Sequence, residues 1–311
     1  MFTDSPLPAS THALTVVVAC IDARRTVAAC LRSIASACNG LDAEVVVVDA
    51  STDGTAEVVR QAGVPVRLMG KQSGTLTPAL WAAGLAVARG QVVAFTIGQC
   101  RVGAGWAGAL LAGLESGATG AGGAITLADE AGPVDWALFY LRYSAFLGAG
   151  ERGVEQAVEI PGDNAAYRRD ALQRHESSFA DGFWEVDFHR RLRSEGARLV
   201  FVPGAEAHFG PAAALLSLAR QRFLHGRHSG SWRVTTGVRS SWQAVAAAPL
   251  VPFLLAFRIA RRVLPRRADR MRFLSSLPAL FLLASAWAAG EAWGAVAAAG
   301  PVMIRKPGLA V

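Results

Sequence analysis

The hydrophobic pattern of the chain changes character along its length. From Leu14 to about Glu115, β-branched runs alternate with stretches whose apolar residues recur every three or four positions. Leu14–Ala19 (LTVVVA), Glu44–Asp49 (EVVVVD), Val64–Leu68 and Gln91–Ile97 predict strands, and a run such as EVVVVD, with no polar alternation, predicts burial on both faces. Between them, Arg25–Cys38 sets Val27, Cys30, Leu31, Ile34 and Cys38 on one helical face. Further helices are predicted from about Thr55, near Pro78–Ala88 and near Gly105–Glu115. Strands fed by helices at this spacing predict an α/β fold with a mostly parallel sheet and helices on both faces. Ligands of such sheets bind beyond the carboxyl ends of the strands. Chemistry is therefore expected just after Ala19, Val48 and Ile97.

Gly120–Leu127 and Arg198–Pro203 predict further strands, and Pro133–Gly150 is aromatic and apolar. Its Trp136, Phe139, Tyr140, Tyr143 and Phe146 read as core, with a ligand-facing lid as the alternative. Beyond residue 210 the alternation ends. Ser240–Phe257 and Phe273–Gly290 are uncharged runs of 18 residues, each about 27 Å long as a helix, close to the roughly 30 Å of a bilayer's hydrocarbon. Between them Arg258–Arg272 carries seven arginines and one acid. Positively charged short loops stay cytoplasmic. With the N-terminal half also cytoplasmic, the first run would dip in and return, or lie in the interface, and the second would cross. A two-span hairpin is the competing topology. Core helices of a soluble domain are the bland alternative, weakened by the missing polar faces. The expected organisation is 1–210 as a ligand-binding domain, 211–239 as a basic interfacial segment and 240–311 as a membrane-associated region. Within the last, 240–257 is re-entrant or spanning and 273–299 spanning.

Composition sharpens this picture. Of 311 residues, 52% are hydrophobic and 18% charged, which excludes a disordered chain and is unusually apolar for a wholly soluble enzyme. The net charge of +7 is local: residues 1–210 carry 17 Lys and Arg against 22 Asp and Glu, whereas 211–272 carry 12 Arg against Asp269. A basic stretch beside an apolar region, with no zinc-finger, helix-turn-helix or basic-zipper pattern, favours a membrane surface or a phosphate-bearing ligand over nucleic acid. Cys20, Cys30, Cys38 and Cys100 form no CxxC pair, so neither a disulfide framework nor a structural zinc site is expected. The first 13 residues contain Asp4 and lack a basic stretch followed by an apolar run, so no cleavable leader is expected.

The most informative local signal is EVVVVDASTDGT, Glu44–Thr55. A buried strand ending in Asp49 sets a carboxylate at the ligand edge, where it can accept a nucleobase N–H or a ribose hydroxyl; Ser51, Thr52, Asp53 and Gly54 supply a turn and a helix start. The alternative is that Asp49 and Asp53 only cap turns.

The succession TVVVAC, VVVVDASTDGT, LWAAGLAVARGQVVAF, IPGDNAAYRRDAL and FWEVDFHRRLRSEGARLVFVPGA, over roughly residues 13–210, resembles the family 2 glycosyltransferases. The resemblance implies the nucleotide-sugar-binding GT-A fold, Rossmann-like, followed here by membrane-associated helices. It also implies that Asp49 helps hold the nucleotide, with Asp53 beside it and Asp22 where relatives carry an Asn. Asn164, Arg168 and Arg169 would lie near donor or acceptor. Relatives follow the strand equivalent to Val92–Phe95 with an Asp-x-Asp pair that binds a divalent metal on the donor diphosphate. This chain has Ile97-Gly98-Gln99 there. Mg²⁺ or Mn²⁺ prefers charged oxygen ligands, and a Gln carbonyl alone is a weak substitute. No cofactor is therefore expected. Either Lys71, Arg101, Arg168, Arg169 or Arg222 neutralises the diphosphate, with Gln99 at the donor, or transfer has been lost.

In WEVDFHRR, Glu185 falls in register with the family's acidic base, and Asp187 is the alternate or an orienting partner; the competing reading is a solvated helix start. His208 falls near a His that relatives set against metal or diphosphate, and a packed or capping His is the alternative. Gln221 and Arg222 resemble an acceptor-side segment of membrane-bound relatives, with an interfacial helix on anionic lipid as the competing reading. The function expected is inverting transfer of a sugar from a nucleotide sugar to a membrane-proximal, lipid-linked acceptor, at the cytoplasmic side of a cell inner membrane. A catalytically inactive, membrane-anchored binding or scaffold protein is the alternative.

Overall fold

A computed structural model describes residues 12–127, 131–149, 153–211 and 214–299. Residues 1–11, which carry most of the leader reading, and the 300–311 end of the expected membrane region lie outside the described residues. The chain divides into two compact units, Met1–Ala213 and Ala214–Val311.

The first unit runs β1 (His12–Cys20), α1 (Val27–Ala37), β2 (Ala43–Asp49), α2 (Thr55–Gln61), β3 (Arg67–Gly70), α3 (Thr77–Leu85), β4 (Gly90–Ile97), β5 (Cys100–Val102), α4 (Trp106–Glu115), β6 (Gly120–Gly122), β7 (Ile125–Leu127), α5 (Pro133–Tyr143), β8 (Glu155–Ala157), β9 (Ala165–Arg168), α6 (Arg169–Arg174), α7 (Glu185–Ser194), β10 (Leu199–Phe201) and β11 (Ala207–Phe209). Eight strands form one sheet in the order β3-β2-β1-β4-β9-β6-β10-β8. The block β3-β2-β1-β4 is parallel, and β9 then runs antiparallel to both β4 and β6. This is the expected GT-A-like α/β fold. Its core follows from the β-branched runs: Val16, Val17, Val18, Val46, Val47 and Val48 are fully buried between layers of helix. Trp136, Phe139, Tyr140 and Tyr143 are buried as well, in a chain of ring contacts that reaches Phe209, so these four are core, while Phe146 is half-buried.

One expected strand is two. Gly120–Leu127 splits into β6 in the large sheet and β7 in a second, three-stranded sheet of order β5-β11-β7. The intervening backbone turns aside to other partners: Gly123 N–H donates to Asn164 O, and Ala124 O accepts from Ala207 N–H. The third predicted strand also shifts, to Arg67–Gly70, where it pairs in register with Val46–Asp49.

The second unit contains α8 (Leu215–Thr235), α9 (Ser241–Ala247), α10 (Val251–Val263) and α11 (Arg270–Ala299). Among the described residues one helical stretch, Arg267–Ala299, is long and apolar enough to cross a membrane. α9 and α10 pass the same test only if taken together, and they are bent by 65° at the break between them.

Candidate active site

The site is built where β1, β2 and β4 end. Beyond β1 the chain turns through Asp22, whose φ of +49° is a left-handed conformation seldom adopted outside glycine. The turn is held against the β2 loop: Asp22 N–H donates to Ser51 Oγ (2.8 Å) and Thr52 N–H to Asp22 Oδ1 (3.3 Å). Asp49, the last residue of β2, is buried, and its Oδ1 accepts from Ser51 N–H (3.1 Å) and Ser51 Oγ (2.5 Å). Among the described residues no hydrogen bond engages Asp49 Oδ2. Lys71 is exposed in the loop after β3, its backbone N–H tied to Asp49 O at 2.8 Å.

Asp53 has a different place from the one expected. Its Oδ1 accepts from Thr55 N–H (3.1 Å) and Thr55 Oγ (2.5 Å), and its Oδ2 from Arg24 N–H (3.1 Å). With both oxygens engaged, Asp53 fastens α2 to the β1 loop, the turn-capping role.

The turn after β4 carries no carboxylate. Ile97 is buried, and Gly98 packs so closely on β1 that a Cβ there would lie 2.8 Å from Cys20 Sγ. Gln99 donates its side-chain amide to Ile21 O at 2.8 Å. Next to it the small sheet sets Arg101, His208 and Thr126 directly across from one another, with His208 Nδ1 and Thr126 Oγ 2.7 Å apart. Arg101 is exposed. The structure thus brings Gln99, Arg101 and His208 into one neighbourhood.

Across β4 lies the third part of the edge. The turn Gly162–Asn164 precedes β9, and Ala165 pairs with Phe95 near the end of β4. Asp163 is buried, and its Oδ2 accepts from both the Arg142 guanidinium and the Tyr143 hydroxyl. Its Oδ1 is buried with no hydrogen-bond partner among the described residues. Arg142 stacks over the rings of Tyr143 and Phe209. Glu185, the first residue of α7, lies on Gly162: a Cβ at that glycine would be 2.9 Å from Glu185 Cγ and 3.0 Å from Cδ. The residue keeps some accessible surface, but protein surrounds the carboxyl group. Loss of water pushes its pKa up to about 7; Asp163 and Glu159 add to the rise, while its own backbone N–H and Arg142 oppose it. Asp187, two residues further along α7 and so on a different side of the helix, is held by Arg190 at 2.9 Å.

Of the residues expected at donor or acceptor, Asn164 is walled in at the turn, Arg168 and Arg169 lie toward the start of β4, and Gln221 and Arg222 belong to the second unit. Asn164 is fully buried, its Nδ2 donating to Ala124 O and Ala205 O and its Oδ1 accepting from Trp106 Nε1. It fixes the turn and has no face left for a ligand. Arg168 pairs with Val92, and Arg169 donates to Ala88 O and Gly90 O, at the start of β4. Because β9 runs antiparallel to β4, Arg168 sits about 16 Å along the strand from Ile97, at about 3.3 Å per residue, and Arg169 farther still. Gln221 and Arg222 lie on α8, in the second unit.

This strand-edge site coincides with a family match. The model for glycosyl transferase family 2 matches residues 15–175, more than half the chain, including the ends of β1, β2 and β4 and the Gly162–Asn164 turn; Glu185 and His208 lie beyond the matched residues. The chain belongs to glycosyltransferase family 2. No curated protein matches it in sequence. Among solved structures, a mycobacterial protein is 18% identical over 69% of this chain and 73% of its own, with a TM-score of 0.49. S. aureus TarS is 14% identical over 68% of this chain and 38% of its own, with a TM-score of 0.45.

Family 2 members with an Asp-x-Asp pair hold a divalent cation after the strand equivalent to β4. The residues present here do not fit one: Ile97 is buried hydrocarbon, Gln99 offers only a neutral amide oxygen where a carboxylate is needed, and no cluster of three His, Cys, Asp or Glu side chains suited to a metal occurs among the described residues. The charged groups that sequence reasoning missed are Arg142 and Asp163. The available signal was a single arginine in an otherwise apolar and aromatic C-terminal half of α5, and an aspartate beside Asn164 in IPGDN.

Proposed function

We propose that this glycosyltransferase moves a sugar from a nucleoside diphosphate to an acceptor hydroxyl with inversion, and that Glu185 takes the acceptor proton. The observation that carries the reading is a crowded carboxyl, titrating near neutrality, on the carboxyl edge of the sheet and next to the Asp163–Arg142 pair. A general base works best when its pKa lies near the working pH. The open Oδ2 of Asp49 would accept a nucleobase or ribose donor, with Asp22 and Ser51 shaping the pocket. Lys71 and Arg101, with Gln99 and His208 alongside, would face the diphosphate.

In the transfer, the acceptor O–H proton passes to Glu185 as the acceptor oxygen bonds to the anomeric carbon. The bond from that carbon to the diphosphate oxygen breaks, and its electron pair leaves with the nucleoside diphosphate. Asp187, two residues further along α7, is the alternate base or an orienting partner. The acceptor is proposed to be membrane-proximal and lipid-linked, at the cytoplasmic face of an inner membrane, because the apolar helices of the second unit offer an attachment.

The test is a panel of UDP-, GDP- and dTDP-linked sugars with wild type and Glu185→Gln. The variant is expected to be stabilised thermally by the same donor while turnover falls on the order of 10²–10⁴-fold. EDTA is expected to leave wild-type turnover unchanged. Donor binding with no turnover by wild type supports the second reading, a binding protein, which the missing carboxylate pair favours. Undiminished turnover by Glu185→Gln excludes Glu185 as base.

A further inference from the structure

The second unit carries an unusual helix pair. Along α8 and α11, a Cβ on Gly226 would lie 2.0 Å from Trp287 O, on Gly230 2.0 Å from Glu291 O, on Gly290 2.0 Å from Phe223 O and on Gly294 1.9 Å from Arg227 O. Two G-x-x-x-G pairs therefore bring the backbones into direct contact. Because Phe223 meets Gly290 and Arg227 meets Gly294, the helices run parallel. Glu291, 1% exposed on α11, is held by Arg233 of α8 and by Arg239 at 3.7 Å. Any bilayer that surrounded the second half of α11 would have to take in α8. That helix exposes Arg220 and Arg227 beside the contact. Each arginine near the centre of a bilayer is disfavoured about a hundredfold. This packing opposes a crossing by α11.

The same unit has a different surface suited to lipid. α10 buries Pro252, Ala256, Ile259 and Val263. Its other side exposes Phe253 (64%), Leu254 (53%) and Phe257 (62%), and α9 exposes Trp242 (69%). Arg258 and Arg261 continue that exposed side toward the arginine-rich turn before α11. α10 is only about 20 Å long, short of the hydrocarbon thickness. An apolar helix face flanked by arginines complements a bilayer with anionic headgroups.

We infer that the α9–α10 face lies in the headgroup plane of an anionic bilayer, with Trp242, Phe253, Leu254 and Phe257 at the acyl boundary and Arg258 and Arg261 on lipid phosphates, and that α11 does not cross. This rests on the membrane association proposed above and replaces its expected crossing at 273–299 with a one-sided attachment.

The full chain with a single new cysteine, Met271→Cys or Val296→Cys, tests it in sealed inverted inner-membrane vesicles from expressing cells. Both positions are exposed on α11, and the four native cysteines are buried. Labelling of both by an impermeant maleimide before detergent is the expected result. Labelling of Met271→Cys alone, with Val296→Cys reached only after detergent, shows a crossing and overturns this inference while leaving membrane association intact. In parallel, purified protein is expected to float with phosphatidylcholine–phosphatidylglycerol vesicles. Arg258→Gln/Arg261→Gln should weaken that binding about 25-fold, at about 5-fold per arginine, with unchanged helical circular dichroism. Flotation with neither these nor pure phosphatidylcholine vesicles, or a dimer that hides this face and ignores lipid, overturns both the inference and the membrane reading. Donor-dependent turnover reports on the transferase reading separately.

Discussion

The two ends of the central strands are chemically opposite. At the amino end every polar group named below has found a partner. Thr15 Oγ donates to Glu44 (2.7 Å) and accepts from Gly90 N–H (2.7 Å), Arg89 N–H donates to Glu44 (2.5 Å), and Arg169 spans Ala88 O and Gly90 O. At the carboxyl end Asp22 is held at positive φ, and, among the described residues, Asp163 Oδ1 is buried without a hydrogen-bond partner and Asp49 keeps an oxygen open, while burial pushes the Glu185 carboxyl up to about 7. A fold that satisfies one edge and leaves tension at the other has separated stability from chemistry. Such local inconsistency marks functional sites.

Substitutions on the two edges should therefore fail in different ways. The largest effect on turnover after loss of Glu185 itself is expected from Gly162→Ala, whose added methyl would sit within about 3 Å of the Glu185 side chain. Displacing the carboxyl by about 1 Å should lower kcat on the order of 100-fold, with a stability cost of about 1–3 kcal/mol. Steady-state kinetics beside denaturant melts would show it. An unchanged kcat would mean that the position of Glu185 does not matter. Arg169→Met, on the satisfied edge, should cost about 1.5–3 kcal/mol through its two carbonyl partners and leave turnover per folded molecule intact; a drop in kcat/KM without a drop in stability would erase the contrast. Asp53→Ala should cost about 1 kcal/mol by freeing α2 from the β1 loop, read as a shift in denaturant midpoint. Arg168→Ala, which breaks an exposed 3.5 Å pair with Asp170, should change stability by less than about 0.5 kcal/mol and turnover not at all.

Much of this was legible in the sequence where the signal was local. The valine runs located β1 and β2, and EVVVVD put Asp49 at a strand end. The acidic start of α7 exposed Glu185, although the turn at Gly162–Asp163 that packs against its side chain lies 22 residues earlier in the chain. What was hidden depended on direction and distance. Nothing in AAYRRD states that β9 runs antiparallel to β4, yet that alone carries Arg168 and Arg169 to the satisfied edge. Asp53 looks like a ligand-binding acid until Arg24 and Thr55, from two other segments, are found on its oxygens. Arg142 reads as an interruption of an aromatic helix because its partner Asp163 is 21 residues away. The glycines of α8 and α11 are separated by about sixty residues, so their contact is invisible in either helix alone.

Glu185 also links activity and stability to pH with opposite signs. A carboxyl whose folded pKa is raised stabilises the native state in its protonated form, so that contribution is complete below about 4.5 and is lost as pH rises through about 7. The proposed role of the same group as base would require the ionised form, so turnover is expected to appear over that same window.

The most direct test of the carboxyl-edge account is the pH profile of kcat/KM for the wild-type enzyme with its donor. The predicted profile has an acid limb with a midpoint near 7 that disappears in Glu185→Gln together with the bulk of the rate. A profile flat from pH 5 to 8, or an acid limb that survives in Glu185→Gln, would contradict it.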